Sequence, residues 1–255
     1  IVLAGSGRSS YHHGHERKNI MQNTFKDMRV AVTGGTSGLG LALVDAFHAA
    51  GAQVAFVARD AHRVSAVALR RAGTHGIVGD VSRKESIHPL AMQVTAALGG
   101  LDILVNNASS LGPVPLALLA DTECEDFEAA LATNLLGPFR LTKALLGALA
   151  RSAREGRPAI VVNISSDAAV GAYAGWGAYG ASKAALAHMS RIWDEELKPH
   201  GVRVIEHDPG DMDTPLHALA IPDADRAMLK RPAQSAQELL DRIAQLIVQG
   251  EEVPA

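Results

Sequence analysis

Apolar positions follow a regular alternation from Arg29 onward, in which short β-branched runs are separated by longer amphipathic segments rich in Ala and Leu. Runs that are apolar at nearly every position are typical of strands buried on both faces of a sheet. Strands that alternate with helices predict an α/β fold, with a parallel sheet covered by helices on both sides. The predicted strands are 29–33, 54–58, 76–79, 102–106, 159–164 and 202–207.

The helices are predicted from apolar positions spaced for one helical face, at 38–50, 61–72, 84–98, 122–153, 178–199 and 236–249. Segment 122–153 is long for one helix, and Gly137-Pro138 should bend or interrupt it. Residues 29–255 show no internal repeat, low-complexity tract or linker. We therefore interpret them as a single domain.

Residues 1–28 lack this periodicity and are interpreted as an N-terminal extension, disordered or tag-like. Their apolar start is too short for the core of a signal peptide and has no basic residue before it. The stretch Tyr11-His-His-Gly-His15 carries imidazoles, which bind metals well. A flexible arm has nothing to orient those rings, so we predict no metal site.

Composition excludes several classes of protein. The 255 residues are 47% hydrophobic with a formal net charge of −3, so no overall field attracts nucleic acid or an anionic membrane. No apolar run reaches the roughly 20 residues that cross a bilayer. The single cysteine, Cys124, rules out a disulfide framework, and its acidic neighbours indicate a structural thiol. We therefore expect a protein of the cytoplasm.

A glycine-rich segment, Thr33-Gly-Gly-Thr-Ser-Gly-Leu-Gly40, joins the first predicted strand to the first predicted helix. The glycines at positions 34, 38 and 40 permit a tight turn and let a pyrophosphate approach the main chain, where the helix start offers free N–H groups. An ordinary turn between a strand and a helix does not need three glycines. This context therefore predicts a dinucleotide site.

The second predicted strand ends Val57-Ala-Arg-Asp60, which bears on the choice of dinucleotide. An acidic residue at the strand tip would bind the ribose hydroxyls of NAD, whereas arginine suits the 2′-phosphate of NADP. Ala58 occupies the tip and Arg59 follows it, which favours NADP(H) over NAD(H). Asp60 is either the acidic partner or the cap of the next helix.

Three later side chains are candidates for proton chemistry. Tyr179 and Lys183 stand four residues apart, about one helical turn, so they would share a helix face. A nearby cation brings the pKa of a phenol toward the working range. Ser166 precedes the tyrosine by thirteen residues and adds a hydroxyl, with Ser165 as the alternative. Alone, the pair is more often an exposed lysine beside a packed tyrosine.

Taken in order, these segments resemble the classical short-chain dehydrogenases/reductases (SDRs) over about residues 29–250. The glycine turn fits the family's Thr-Gly-x-x-x-Gly-x-Gly pattern at every fixed place. Asn106-Asn-Ala-Ser109 looks like the family's Asn-Asn-Ala-Gly signature, with serine in place of the last glycine. Asp80-Val81 and Pro209-Gly-Asp-Met-Asp-Thr214 match two further cofactor segments. Asn134 and the three proton-chemistry side chains match the catalytic tetrad.

The resemblance implies a Rossmann-like doubly wound sheet of six to seven strands, the last strand being missing or very short after Glu251. It also implies a set of contacts to the nicotinamide cofactor. Thr214 can cap a helix at Pro215 as well as bind the cofactor. The implied contacts are Gly34, Thr36, Ser37, Gly38, Leu39, Gly40, Arg59, Asp80, Val81, Asn106, Ala108, Tyr179, Lys183, Pro209, Gly210, Met212 and Thr214.

The implied reaction is hydride transfer between the nicotinamide and a ketone, aldehyde or secondary alcohol. By resemblance, Ser166 donates a hydrogen bond to the substrate oxygen and Tyr179 moves the proton. Lys183 lowers the pKa of Tyr179, and Asn134 holds a water. A non-catalytic dinucleotide-binding protein, such as a redox sensor, is the alternative, and the presence of all four residues argues against it.

Residues 210–232 form the predicted lid over the substrate, and they are mainly apolar. Asp211 and Asp213 would repel anions, and His217 is interpreted as a surface histidine. A medium-sized, largely uncharged small molecule is the predicted substrate. No nucleic acid or membrane partner is expected, and the resemblance implies a homodimer or homotetramer.

Overall fold

The computed structural model of the protein describes residues 24–251. The first 23 residues of the expected extension, with its histidine cluster, and the chain after Glu251 lie outside the described residues. The last part of that extension is folded: Phe25 is fully buried and meets the ring of Phe47 edge to face at 5.4 Å. The domain therefore includes residues before Arg29, because an aromatic side chain there completes the core.

Six parallel strands form one sheet in the order β3-β2-β1-β4-β5-β6. The doubly wound fold is as predicted, with strand ends that shift by one or two residues. The position where a seventh strand was considered, after Glu251, is not among the described residues. The strands are β1 Arg29–Thr33, β2 Gln53–Ala58, β3 Thr74–Val78, β4 Ile103–Asn106, β5 Ile160–Ile164 and β6 Arg203–His207.

Helices connect successive strands and cover both faces of the sheet. The first five are α1 Gly38–Ala49, α2 Ala61–Leu69, α3 Ile87–Leu98, α4 Cys124–Leu131 and α5 Gly137–Arg154. The others are α6 Gly177–Leu197, α7 Pro215–Ala220 and α8 Pro232–Glu251. Short 3₁₀ turns lie at Lys84–Ser86, Leu119–Asp121, Asp167–Ala169, Lys198–His200 and Arg226–Met228. Helix α7 lies within the predicted lid and begins at Pro215, and Thr214 caps it as considered from the sequence: its Oγ1 accepts from His217 N at 3.2 Å.

Two apolar layers hold the helices against the sheet. On one face, Leu43 of α1 and Leu239 of α8 pack over β1 and β2. On the other face, Leu90 of α3 and Leu145 of α5 pack over β1, β4 and β5. Because both faces are covered, the central strands are apolar at nearly every position, which explains the sequence pattern.

The expected interruption in 122–153 is a π-helical turn, Ala132–Leu136, between α4 and α5. Pro138 is the cause, since it has no N–H to donate to the carbonyl of Asn134 and its ring crowds that carbonyl. The widened turn lies one turn before the proline rather than at it. It places Asn134 in the interior, where none of its surface is exposed.

A buried carboxylate ties the amino ends of β1 and β4 together. Asp102 has no exposed surface and accepts hydrogen bonds from Arg29 N at 2.8 Å, Arg29 Nη2 at 2.7 Å and Arg157 Nη2 at 2.7 Å. Burial alone would raise the pKa of this carboxyl, but the hydrogen bonds from Arg157 and Arg29 outweigh it and lower the pKa to about 2. This cluster lies at the edge opposite the carboxyl ends of the strands.

The order of strands reverses between β1 and β4, and ligands of open α/β sheets bind where the carboxyl ends of such strands diverge. Residues that follow β1, β4, β5 and β6 meet at this edge. Within residues 24–251, no helix is long and apolar enough to cross a bilayer, and no three metal-binding side chains cluster.

Candidate active site

A cleft of about 720 Å³ opens at the carboxyl edge of the sheet. That volume is within the range for sites that bind cofactors and small molecules. Most of the predicted cofactor and catalytic residues line it. They are Gly34, Thr36, Ser37, Gly38, Leu39, Gly40, Arg59, Asp80, Val81, Ala108, Ser166, Tyr179, Lys183, Pro209, Gly210, Met212 and Thr214.

The glycine turn has the geometry that a pyrophosphate requires. Gly34 and Gly38 have φ of +71° and +50°, a region that L side chains rarely adopt. A side chain on Gly38 would also come within 3.2 Å of Thr214. The Ser37 side chain makes no capping hydrogen bond, so the first N–H groups of α1 remain for a ligand. The turn therefore fits the phosphates of a dinucleotide.

The loop after β4 is held against the glycine turn by hydrogen bonds. Thr33 Oγ1 accepts from Asn107 N at 2.9 Å and from Ala108 N at 3.0 Å. Asn107 Nδ2 donates in return to the Thr33 carbonyl at 2.9 Å. This amide fixes the floor of the cleft, and sequence reasoning did not single it out.

Two arginines line the cleft beyond the end of β2: Arg59 directly follows the strand, and Arg63 lies in the first turn of α2. Asp60, for which two roles were open, caps α2: its Oδ1 accepts from Arg63 N at 3.0 Å. That hydrogen bond is the first cause that lowers the pKa of Asp60. Within residues 24–251, no carboxylate pairs with the side chain of Arg59, which remains available to an anionic ligand.

Tyr179 and Lys183 lie on the inner face of α6, and both are almost completely buried. Lys183 Nζ donates to the Ile164 carbonyl at 2.7 Å and lies 5.5 Å from the centre of the Tyr179 ring. Burial lowers the pKa of Lys183 to about 8, with Asp208 acting in the opposite direction. The lysine is therefore a partly desolvated cation beside the phenol.

The pKa of Tyr179 differs from expectation. Burial raises it, and hydrogen bonding to Ser166 and Ser109 only opposes that rise. Desolvation of the phenolate is therefore the largest influence on this pKa, and the lowering expected from Lys183 stays a prediction. At neutral pH the phenol is protonated and can donate a hydrogen bond.

Ser165 and Ser166 both line the cleft, but Ser165 is buried and only Ser166 of the two hydrogen-bonds to Tyr179, which favours Ser166. The Ser166 hydroxyl is already engaged: it donates to Asp167 Oδ1 at 2.9 Å and accepts from Ala168 N at 3.2 Å. Because a carboxylate can only accept, the serine proton points at Asp167. The same hydroxyl also hydrogen-bonds to Tyr179, and the donor role expected for Ser166 toward a substrate stays a prediction.

Asn134 lies behind the cleft rather than in its wall. Its Oδ1 accepts from Ser110 N at 2.8 Å and Ser109 Oγ at 3.1 Å, and its Nδ2 donates to the Ser110 carbonyl and to Ser182 Oγ. An asparagine amide makes about four hydrogen bonds, so this side chain is fully used. The predicted water-holding role cannot fall to the side chain. The main-chain carbonyl of Asn134 is the remaining group that could bind a water, because Pro138 has no N–H to donate to it.

Two further expectations differ from the structure. Asn106 does not line the cleft: it is buried, and its Nδ2 donates to Thr142 Oγ1 at 3.1 Å and Asn163 Oδ1 at 2.8 Å. Its side chain ties β4 to β5 and α5, because alternate strand residues point to opposite faces. His217 is not a surface histidine, since its side chain is 11% exposed and lines the cleft.

The substrate end of the cleft is acidic. Asp167, Asp208 and Asp211 all line it. Asp213, expected to repel anions, is instead paired with Arg226 at 2.8 Å. Sequence reasoning missed Asp167 and Asp208, although each follows the end of a strand, and carboxyl ends of parallel strands carry functional residues.

The fold and this cleft define a dinucleotide-dependent oxidoreductase of the doubly wound type. A sequence profile for short chain dehydrogenases matches residues 28–224. That match covers more than half of the chain, which therefore belongs to the short-chain dehydrogenase family. Family membership confirms the prediction of a catalytic oxidoreductase that acts on alcohol or carbonyl groups of small molecules, over the non-catalytic alternative.

Individual proteins agree with this assignment. The chain is 36% identical over 189 residues to the L-fucose dehydrogenase of Mus musculus. This match covers 73% of this chain and 66% of that protein. It is 31% identical over 236 residues to the glucose 1-dehydrogenase of Gluconobacter oxydans (strain 621H), covering 87% and 85%. A solved short chain dehydrogenase of Shigella flexneri, complexed with NADP, is 26% identical with a TM-score of 0.79, covering 89% of this chain and 93% of that one.

Proposed function

We propose that the protein is an NADP(H)-dependent dehydrogenase/reductase of uncharged, hydroxylated small molecules, with Ser166, Tyr179 and Lys183 as its catalytic residues. The observation that carries the proposal is the meeting of these three side chains in one cleft with the glycine turn. Asn134 supports them from behind by holding the loop of Ser109 and Ser110.

The roles of the chain's own residues follow from charge and burial. When bound, the nicotinamide supplies or accepts the hydride. The protonated Tyr179 stabilises negative charge that develops on the substrate oxygen and gives or takes its proton. Lys183, held on the Ile164 carbonyl, adds positive charge beside the phenol. Ser109, at the position where the resembled family has glycine, adds a second hydroxyl that reaches both Tyr179 and Asn134.

The preference for NADP(H) rests on the end of β2. Ala58 leaves no carboxylate at the tip, and Asp60 is engaged in capping α2. Arg59 and Arg63 line the cleft there, and guanidinium groups bind phosphate with two parallel hydrogen bonds. The solved Shigella flexneri relative bound to NADP supports the same preference.

A titration with each cofactor tests this preference. The protein should bind NADPH at least tenfold more tightly than NADH, since one charged contact contributes about 1.5–3 kcal/mol. Arg59→Ala should remove most of that difference and leave NADH binding unchanged. Tighter binding of NADH by the unmodified protein would contradict the proposal.

The substrate class is inferred from the acidic end of the cleft. Three carboxylates, Asp167, Asp208 and Asp211, accept hydrogen bonds from hydroxyl groups and repel anions. Two relatives are named for sugars, L-fucose and glucose. We therefore propose sugars and polyols as substrates. This class is more specific than the uncharged ketone, aldehyde or alcohol that the sequence predicted.

A panel assay tests the substrate class. L-Fucose, D-glucose, xylitol, L-xylulose, cyclohexanol and cyclohexanone are compared with a carboxylate substrate and an acyl-CoA thioester. The neutral hydroxylated compounds should show the highest kcat/KM. Turnover confined to the anionic substrates would refute the proposed class.

We also propose a homo-oligomer in the cytoplasm. Leu136, Phe139 and Ile192 leave apolar surface on α5, α6 and the π turn, where related enzymes are expected to associate. A free thiol at Cys124 suits a reducing compartment. Light scattering should give a dimer or tetramer at micromolar concentration, and a monomer would contradict this part of the proposal.

A further inference from the structure

Asp208 places a negative charge at the carboxyl edge of the sheet, directly after β6. It lines the cleft, and its Oδ1 accepts from Gly210 N at 2.9 Å, which holds the carboxylate at the start of the Pro209-Gly210 turn. In the described part of the chain, no lysine, arginine or histidine forms an ion pair with it. Its charge is therefore available to a ligand in the cleft.

The register of the sheet brings Asp208 close to the proposed catalytic residues. Ile164 of β5 pairs with His207 of β6, and Ser165 N donates to the His207 carbonyl at 2.8 Å. The carbonyl of the same Ile164 accepts from Lys183 Nζ at 2.7 Å. Asp208 follows His207 directly, so it lies one residue beyond the strand pair that holds the lysine.

The charge of Asp208 reaches both members of the tyrosine–lysine pair. Lys183 is 2% exposed, and burial lowers its pKa to about 8. Asp208 is the only charged group in residues 24–251 that acts on this lysine, and it opposes that fall. Burial also raises the pKa of Tyr179, and the charge of Asp208 raises it further.

The nicotinamide has to come near the same two residues. Hydride transfer requires the ring to lie against the substrate carbon whose oxygen Tyr179 contacts. Pro209 and Gly210, which follow Asp208 directly, are among the cofactor contacts that the resemblance implies. The ring is a cation when it is oxidised and neutral when it is reduced. A fixed carboxylate here therefore meets a group whose charge changes in the reaction.

We propose that Asp208 stabilises the oxidised nicotinamide, so that it increases the affinity of the protein for NADP⁺ relative to NADPH. The phosphate groups of the two forms carry the same charge, so repulsion between them and Asp208 cancels in the ratio of the two affinities. Only the charge of the ring differs. This inference rests on the proposed function in placing the nicotinamide beside Tyr179.

The consequence concerns the direction of hydride transfer. In carbonyl reduction, the substrate carbon takes a hydride from the reduced nicotinamide, the substrate oxygen takes a proton from Tyr179, and the ring is left with a positive charge. Asp208 stabilises that charge, and it therefore favours the alcohol side of the equilibrium between bound species. The equilibrium in solution does not change.

Asp208→Asn tests the inference because it removes the charge and preserves the turn. The amide oxygen can still accept from Gly210 N. Dissociation constants for NADP⁺ and NADPH are measured by calorimetry on the protein without substrate. The ratio of the NADP⁺ constant to the NADPH constant should rise about threefold to tenfold. This is the size of the attraction between two unit charges at roughly 5–10 Å, when the dielectric lies between those of water and a protein surface.

Two further variants make the measurement specific. Asp208→Ser also keeps an acceptor for the turn and should shift the ratio in the same direction. Asp60→Asn is the matched control: it removes a carboxylate that lines the same cleft beside Arg59, and asparagine can still cap α2. Its two dissociation constants can change together, but their ratio should stay within about twofold. A purely structural role of Asp208 would likewise change both constants by the same factor.

The outcomes separate this inference from the proposed function. If the ratio stays unchanged in Asp208→Asn, or shifts equally in Asp60→Asn, the inference is overturned even where the substrate panel is turned over. If the ratio shifts as expected but no member of the panel is turned over, the proposed reaction fails and the role of Asp208 stands. If the unmodified protein binds neither cofactor, both fail.

Discussion

Asp102→Asn should destabilise the protein without weakening the cofactor site. The substitution preserves size and removes the buried negative charge that pairs with both Arg29 and Arg157 at the amino ends of β1 and β4. The cleft lies at the opposite edge of the sheet. Loss of the carboxylate should therefore appear in the free energy of unfolding and not in the affinity for NADPH.

The expected magnitude follows from the pKa of Asp102, which is lowered from 3.8 to about 2. A shift of about 1.8 pKa units corresponds to roughly 2.4 kcal/mol of stability. Breaking a fully buried pair costs about 3–5 kcal/mol. Here Arg157 is 36% exposed, so water can solvate it after the change. We therefore expect a loss of about 2–3 kcal/mol at neutral pH.

Urea unfolding of the two proteins over a range of pH measures this loss. Because the folded-state pKa is depressed, the stability from Asp102 is fully present above pH 4 and is lost as the pH falls toward about 2. The difference between Asp102→Asn and the unmodified protein should shrink over that interval. Glu85→Gln, at the exposed pair with Arg83, is the matched control and should leave unfolding unchanged.

A difference below about 1 kcal/mol at neutral pH would refute the reasoning, because the hydrogen bonds would then only offset the cost of burial. A difference that stays constant from pH 7 to pH 2 would also refute it. In that case packing, and not the charge of Asp102, would account for the loss.

Three further predictions concern the cleft. Tyr179→Phe should lower kcat by about 10²–10⁴, the usual contribution of a general acid or base, with NADPH affinity within about threefold; near-normal turnover would contradict its proposed role. Since Lys183 has a pKa of about 8, activity that needs its charge should fall as the pH rises through about 8, and a kcat/KM profile that is flat from about pH 7 to 9 would count against it. Gly38→Ala should weaken NADPH binding several-fold and cost about 1–2 kcal/mol at its φ of +50°. Gly147→Ala is the control, because a Cβ at Gly147 meets nothing within 4 Å; it should change neither NADPH binding nor stability in this way.

The fold could be predicted from the sequence because the patterns that determine it are local and periodic. Each apolar run between amphipathic segments became a strand of the sheet, and the glycine turn became the loop between β1 and α1. The interruption before α5 was foreseen from Pro138, but its position at Ala132–Leu136 was not. A π turn depends on how neighbouring carbonyls find partners, which the sequence pattern does not contain.

The candidate site could be predicted from the sequence only in part. The sequence pattern predicted which segments reach the cleft, since the carboxyl ends of parallel strands share one edge. Only the tertiary structure shows where each side chain points. Asn106 turns into the core, His217 turns into the cleft, and Ser166 donates a hydrogen bond to Asp167. The tertiary structure also decided that burial, the largest influence on Tyr179, raises the pKa of that phenol. Desolvation and hydrogen-bond direction depend on atoms brought together from distant parts of the chain, and no local pattern encodes them.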